Sequence, residues 1–285
     1  MDIFHYLGNI PLNLSCPVSL STMHYLKVIT HDTSFHADEV IAVALLKYIG
    51  YNVDLVRTRN PQVLATSIAD PSVAVLDVGG EHNPLMFNFD HHQDMTLQSA
   101  AGLIYENFKN RICPPEAQPF FEKFIGSIDA MDTNRDNIFE LMNALPSGFR
   151  NTSSLIGRFN RDVTNATEQF AQFEKALDFA TVIIENEIYA ALKKAKSEAD
   201  YAGRTVLANN VAVFDEYSTV WKSKKEHVFV VLPHANGWQI QTIDTTVATV
   251  PESISESKGF IFRHGSGFMA VVKDKDVAVS FAETL

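Results

Sequence analysis

The chain has 285 residues, 46% of them hydrophobic, with no apolar run near the roughly 20 residues of a membrane span, so it reads as a soluble globular protein of one large or two medium domains. Its two cysteines, Cys16 and Cys113, exclude a disulfide framework and a sulfur-ligated zinc site, and point to a reducing, intracellular setting, cytoplasmic by default. The net charge of -11 is uneven: residues 1–149 hold 8 Lys and Arg against 17 Asp and Glu, whereas residues 150–285 hold 15 against 17.

In chain order, the first 26 residues carry two prolines and no clear period, and read as a surface extension without the basic n-region of a secretory signal; Met23 is an alternative start of the core unit. The segments "YLKVIT", "NVDLVRT", "VAVLDV" and "MFNFD" then read as strands, and "ADEVIAVALLKYIG", "QVLATSIA", "SAAGLIYENF" and "PFFEKFIGSIDAMD" as helices. Such alternation predicts crossover units and a largely parallel sheet. From about Thr167 to Tyr201 a helical pattern runs without Gly or Pro, its Phe170, Phe173, Leu177, Ala180, Ile184, Ile188 and Leu192 spaced as a packing stripe. After it come strands "NVAVFD", "HVFVVLPH", "WQIQTI", "GFIFRH" and "FMAVV" and a closing helix "DVAVSFAETL". The expected organisation is an α/β domain over 1–166, a connecting helix over 167–201 and a smaller α/β domain over 202–285.

Four stretches of the first half place acids and imidazoles at strand or helix ends: "THDTSFHADE" with His31, His36, Asp38 and Glu39, "VAVLDVGG" with Asp77, "FNFDHHQ" with Asp90, His91 and His92, and "GSIDAMD" with Asp129 and Asp132. Singly, most have a structural excuse. Asp38 could cap the helix at Ala37, Asp77 could serve the Gly79-Gly80 turn, and Asp129 could lie on a solvated face. Asp90-His91-His92 is harder to explain that way, because adjacent imidazoles beside a carboxylate are usually stabilised by a metal or a phosphate. Together, imidazoles and carboxylates without cysteine suit hexacoordinate manganese, cobalt or magnesium better than structural zinc. A carboxylate between two such clusters can bridge ions about 3.5–4 Å apart, the spacing of two-metal phosphoester hydrolysis. Two divalent ions would also offset much of the acidic excess of this half.

The "DHH" of "FNFDHHQ", with the upstream His/Asp motif, the isolated Asp77 and a later Asp, resembles the DHH phosphoesterase superfamily. Within it, "THDTSFHADE", "RTRNP", "VLDVGG", "FDHHQ", "SAAGLIYENF", "KEHVFVV" and "FRHGSGF" resemble the Myg-type family from about Lys27 to the C-terminus. The resemblance implies a parallel-sheet, DHH-type metal-binding domain joined by the long helix to a substrate-binding α/β domain. It implies that His31, His36 and Asp38 hold one metal, that Asp77 bridges, and that His91 and Asp129 reach a second. His92 would then be the general acid and Asp90 would orient the histidines. "DAMDTNRD" departs from the family's shorter segment, which leaves Asp129 and Asp132 both open as the ligand. The C-terminal domain would hold substrate through Arg263, His264 and Ser266. Trp221 with Lys222, Lys224, Lys225 and His227 could stack and attract a nucleotide chain, or form a basic loop with one packed Trp.

The implied activity is hydrolysis of nucleic acid by a metal-dependent phosphodiesterase, a 3′–5′ exonuclease on RNA or single strands, using two divalent ions, manganese first. The alternatives are a small-phosphate hydrolase acting on pyrophosphate or dinucleotides, and a non-enzymatic scaffold knitted by metal.

Overall fold

A computed structural model describes residues 24–162 and 165–285. Of the expected N-terminal extension, positions 1–23, with Cys16, lie outside the described residues, and positions 24–26 belong to the first strand. The chain divides into two compact units, and the division falls inside the long helix, between Leu192 and Lys193. Among the described residues no helix is long and apolar enough to cross a membrane.

In the first unit, β1 (His24–Thr30), α1 (Ala37–Tyr48), β2 (Tyr51–Arg57), α2 (Pro61–Ile68) and β3 (Val73–Leu76) form successive crossover units. A short β4 (His82–Asn83) and β5 (Asn88–Phe89) follow, then α3 (Ala100–Ile112), α4 (Gln118–Thr133), α5 (Ile138–Asn143), α6 (Thr152–Gly157) and the part of α7 (Ala166–Ala202) up to Leu192. The strand order is β2-β1-β3-β5-β4, parallel except for β4 against β5. Consecutive parallel strands thus bring the ends of β1, β3 and β5 side by side. Residues 37–46 of α1 are all buried, consistent with a helix that is apolar nearly all round and packs on α3. The expected strand "MFNFD" is only two residues long because Pro84–Met86 forms a 3₁₀ turn and Phe87 takes φ +61°. On α7, Phe173 meets Phe35 edge to face at 5.2 Å, and the Arg57 guanidinium lies over both rings.

The second unit is built on a sheet ordered β10-β11-β9-β8-β7-β6. Its strands are β6 (Thr205–Val206), β7 (Ala212–Val213), β8 (Phe229–His234), β9 (Gly237–Thr242), β10 (Phe260–Arg263) and β11 (Met269–Val272). All pair antiparallel except β7 with β8. Alternation along β8 divides the core by face. Val231 packs with Ile240, Ala278 and Ala282, the last two from α9 (Lys275–Ala282), whereas Val230 and Leu232 pack with Tyr201, Phe214 and Trp221, the last from α8 (Trp221–Lys224).

Cys113 closes α3 and is buried. Burial pushes its thiol up to about 11, against a lowering by the Tyr105 hydroxyl. In Cys16→Ser protein, alkylation of Cys113 by iodoacetamide at pH 8 should run about 100-fold or more slower in the native than in the unfolded chain, because the thiolate is the nucleophile. Equal rates in the two states would contradict this packing.

Candidate metal centre

The three adjacent strand ends each deliver part of one cluster. His31 directly follows β1, and its Nδ1 lies 2.9 Å from the Asp32 carbonyl. With Nδ1 as donor, Nε2 is left facing Glu39 Oε1 at 3.0 Å and Asp77 Oδ2 at 3.2 Å. Asp77 directly follows β3 with φ +56°, a left-handed conformation that aspartate tolerates better than most residues. Its N–H donates to the Phe89 carbonyl of β5, and its other oxygen, Oδ1, lies 3.2 Å from His91 Nε2. One carboxylate therefore faces a histidine on each side.

Gly79 and Gly80, at φ +103° and +71°, complete that turn; a Cβ on Gly79 would come within 2.9 Å of the Ile68 side chain. The turn is functional in its backbone as well, since the Gly80 N–H donates to Asp90 Oδ2 at 2.6 Å. Asp90 Oδ1 in turn accepts from the His92 N–H and lies 2.7 Å from His92 Nδ1. Asp90, following β5, therefore holds His92 rather than His91. The His92 side chain remains 63% exposed, whereas His91 is mostly enclosed and lies 3.1 Å from Asp132 Oδ2.

Helix α1 supplies the remaining groups through its first turn. The N-cap is His36, and the Glu39 carboxylate accepts from the His36 N–H at 2.9 and 3.1 Å. Asp38 is not a cap: it is fully buried, and among the described residues neither of its oxygens makes a hydrogen bond of proper geometry. A carboxylate held this way costs several kcal/mol, while the helix N-terminus returns about 0.3–2 kcal/mol. Burial, with the charges of Asp77, Glu39 and Asp132 adding to it, pushes the Asp38 carboxyl well above the usual carboxylate range.

The neighbours respond in the opposite sense. Burial works against a charged His31 or His91, but Asp77 with Glu39, and Asp132 with Asp77, outweigh it and hold both imidazoles at about 10. Burial likewise works against an ionised Asp77, and His31 and His91 outweigh it, holding the carboxyl at about 2. Asp77 Oδ1 and His91 Nε2 nonetheless make no hydrogen bond of proper geometry.

Orphaned buried ligand atoms pointing at one another are what divalent cations satisfy, and the donor set fits them. Three groups have ligand atoms within 4.8 Å of one another: His31, His36, Glu39 and Asp77; Asp77, His91 and His92; and His36, Asp38 and Asp132. Asp77 belongs to two of these, and His36 to two. Oxygen and imidazole donors without thiolate favour hard or borderline divalent ions.

Asp129, the other expected candidate on α4, is turned elsewhere. Its carboxylate accepts from the Ser99 N–H at 2.5 Å and faces Arg135 at 3.3 Å. Glu39, noted in the first acidic stretch but not in the ligand set the resemblance implies, joins the cluster. Its position three residues after the N-cap is that of an ordinary capping acid, and it fills that role as well.

In the second unit, Arg263 Nε donates to the Val250 carbonyl, and His264 Nδ1 accepts from the Ser266 N–H and lies 2.9 Å from its hydroxyl. Trp221 is 1% exposed, Lys224 pairs with Glu198, and His227 is buried against Asn210 and Arg204. This corrects the stacking reading of Trp221: a ring packed into the core has no face for a base.

The MYG1 exonuclease model, described as an uncharacterised protein family (UPF0160), matches residues 27–252, so the chain belongs to that family. It is similar to MYG1 protein C694.04c of Schizosaccharomyces pombe, 26% identical over 86% of this chain and 92% of that one. It is also similar to MYG1 protein YER156C of Saccharomyces cerevisiae, 24% identical over 93% and 97%. The similarity to MYG1 exonuclease of Mus musculus is 32% identity over 133 residues, 36% of this chain and 34% of the mouse protein. The match to that relative therefore spans about a third of its length.

If cations relieve the Asp38 carboxylate, Asp38→Asn separates burial from binding. In chelator the variant should melt at or above the wild-type temperature, because a neutral amide replaces an uncompensated buried acid. On adding manganese the wild type should rise in Tm and the variant much less. A variant less stable in chelator that keeps the full manganese shift would contradict the ligand role.

Proposed function

We propose that the chain is a metal-dependent phosphodiesterase of the DHH type that hydrolyses nucleic acid, a 3′–5′ exonuclease on RNA or single strands. The observation that carries this reading is the carboxylate of Asp77, with one oxygen toward His31 and the other toward His91. Relatives named exonucleases support a nuclease-type activity and with it a nucleic-acid substrate. In this reading His31, His36, Glu39 and Asp77 hold one divalent ion, and Asp77, His91 and Asp132 a second, with Asp38 available between His36 and Asp132. Asp132 thus takes the place first given to Asp129. Manganese fits the mixed imidazole and carboxylate set, with magnesium or cobalt as substitutes. Ions bound there supply Lewis acidity, making water a nucleophile near neutral pH and stabilising charge on the phosphoryl oxygens.

The chain's own residues supply the rest. His92 is held through Nδ1 by Asp90, which leaves Nε2 to donate a proton to the departing oxygen. Asp90 fixes the ring's orientation, and the Gly80 N–H fixes Asp90. In the second unit, His264, Ser266 and the Arg263 guanidinium, whose Nη1 lies 3.9 Å from Glu252 Oε1, are donors suited to a phosphate.

Asp77→Ala should abolish both metal retention and hydrolysis. His92→Ala should keep its metal content and lose roughly 10²–10⁴-fold in rate. The assay is metal analysis beside turnover with manganese on end-labelled RNA and DNA oligonucleotides, dinucleotides and pyrophosphate. A ladder shortening from the 3′ end supports the proposal, whereas turnover of pyrophosphate or dinucleotides alone would make the protein a small-phosphate hydrolase. Equal metal loss in both variants would make His92 a ligand.

A further inference from the structure

The metal cluster opens on one side into a cavity of about 430 Å³. His36, Asp38 and Asp132 line it from the cluster, and Met131, Phe139 and Ser154 from the other wall. Met131, Phe139 and Ser154 also line a shallower groove of about 670 Å³, which continues away from the cluster past Phe149, Arg150 and Arg158. Both lie within the first unit, the cavity between the start of α1 and α4 to α6, the groove on α4 to α6 and the residues beside them.

Three features mark this groove. First, residues 141–161 contain Arg150, Arg158 and Arg161 and no Asp or Glu, next to a stretch, residues 1–140, where acids outnumber bases 17 to 8. Among the described residues none of these three arginines pairs with a carboxylate, so their charge is directed to solvent or a ligand. Second, Phe139 and Phe149 are 44% and 53% exposed, although the same elements bury Ile156 completely. Large rings left open beside unpaired arginines are a costly arrangement for a surface with no occupant. Third, the segment is fastened to the metal loop: the Asn160 side chain accepts from the Phe35 N–H at 3.0 Å and donates to the Phe35 carbonyl at 2.6 Å. The groove is thereby held in register with His36 and Asp38.

Resting on the nuclease reading, we infer that this groove binds the nucleotides of a single-stranded substrate that lie beyond the scissile phosphate. Phe139 and Phe149 offer ring faces to unpaired bases, and Arg150 and Arg158 contact backbone phosphates. The combination of aromatic faces with a basic track is how single strands are bound without sequence preference. A paired duplex has no free base faces for the two rings. Pyrophosphate would fill a small part of the volume and has no use for the rings. An acidic peptide or a second copy of the chain would also meet arginines and apolar rings, but continuity with the metal cluster favours the substrate.

The test uses the full chain and a 5′-fluorescein single-stranded RNA 12-mer. Binding is read by anisotropy in calcium, and cleavage is read separately in manganese. Phe149→Leu keeps apolar bulk without the ring face and should weaken binding about tenfold. Arg158→Ala should also weaken it and reduce the slope of log K against log salt by about 0.7, with Arg158→Lys restoring most of that slope. Circular dichroism melts confirm that each variant folds. Unchanged affinity and salt slope in all of them overturns the inference, whether or not the wild type cleaves. So does a change in sedimentation behaviour with Phe149→Leu at unchanged affinity, which makes the surface a protein interface. Weakened binding in variants of a wild type that binds RNA but does not cleave it leaves the groove in place and removes the nuclease reading.

Discussion

The Asp77 carboxylate is the constraint around which the first unit is arranged. It leaves β3 in a left-handed conformation and meets His31 from β1 on one side and His91 from beyond β5 on the other. Those contacts are available only because β1, β3 and β5 are neighbours running in the same direction, so that their ends open on a single edge. Ligand sites of open parallel sheets lie at such edges. The conformation of Asp77 is supported by the Gly79-Gly80 turn and by its own hydrogen bond to Phe89.

The same crowding explains why the cluster is poorly satisfied by the protein alone. Asp38, Glu39, Asp77 and Asp132 converge, and only His31 and His91 are driven toward the charged form in response. Among the described residues Asp38 makes no hydrogen bond of proper geometry. In the proposed reading divalent cations offset this carboxylate, which would connect the acidic bias of residues 1–149 to a cation site. The arginines of 141–161 are the proposed counterpart: Arg150 and Arg158 line the groove that shares Met131, Phe139 and Ser154 with the cavity at the cluster.

Much of this arrangement was legible in the sequence because it depends on local periodicity and on residues at element ends. The alternation of strands and helices predicted the parallel sheet, and His31, Asp77 and Asp90 each fall where a strand was expected to end. What sequence could not separate were positions on one helix face. Asp129 and Asp132 are three residues apart on α4, and only the turn toward Ser99 and Arg135 distinguishes them. Glu39 was hidden by its second role as a capping acid, and Asp38 looked like a cap because burial is invisible at a helix start. The helices α5 and α6 went unread because they follow a turn in which Asn134, Asp136 and Asn137 all take positive φ, and because neither is longer than six residues. Too short to show a period, they carry the exposed Phe139 and the turns beside Phe149.

Manganese itself can report whether Asp77 joins two ions. Two manganese(II) ions sharing a carboxylate at about 3.5–4 Å couple magnetically, and electron paramagnetic resonance distinguishes such a pair from isolated ions. Titrated to saturation, the wild-type protein should take up two ions per chain and show the coupled spectrum, and Asp77→Ala should show none of it. One ion per chain with the six-line spectrum of isolated manganese, unchanged by Asp77→Ala, would contradict a shared carboxylate at the centre of the site.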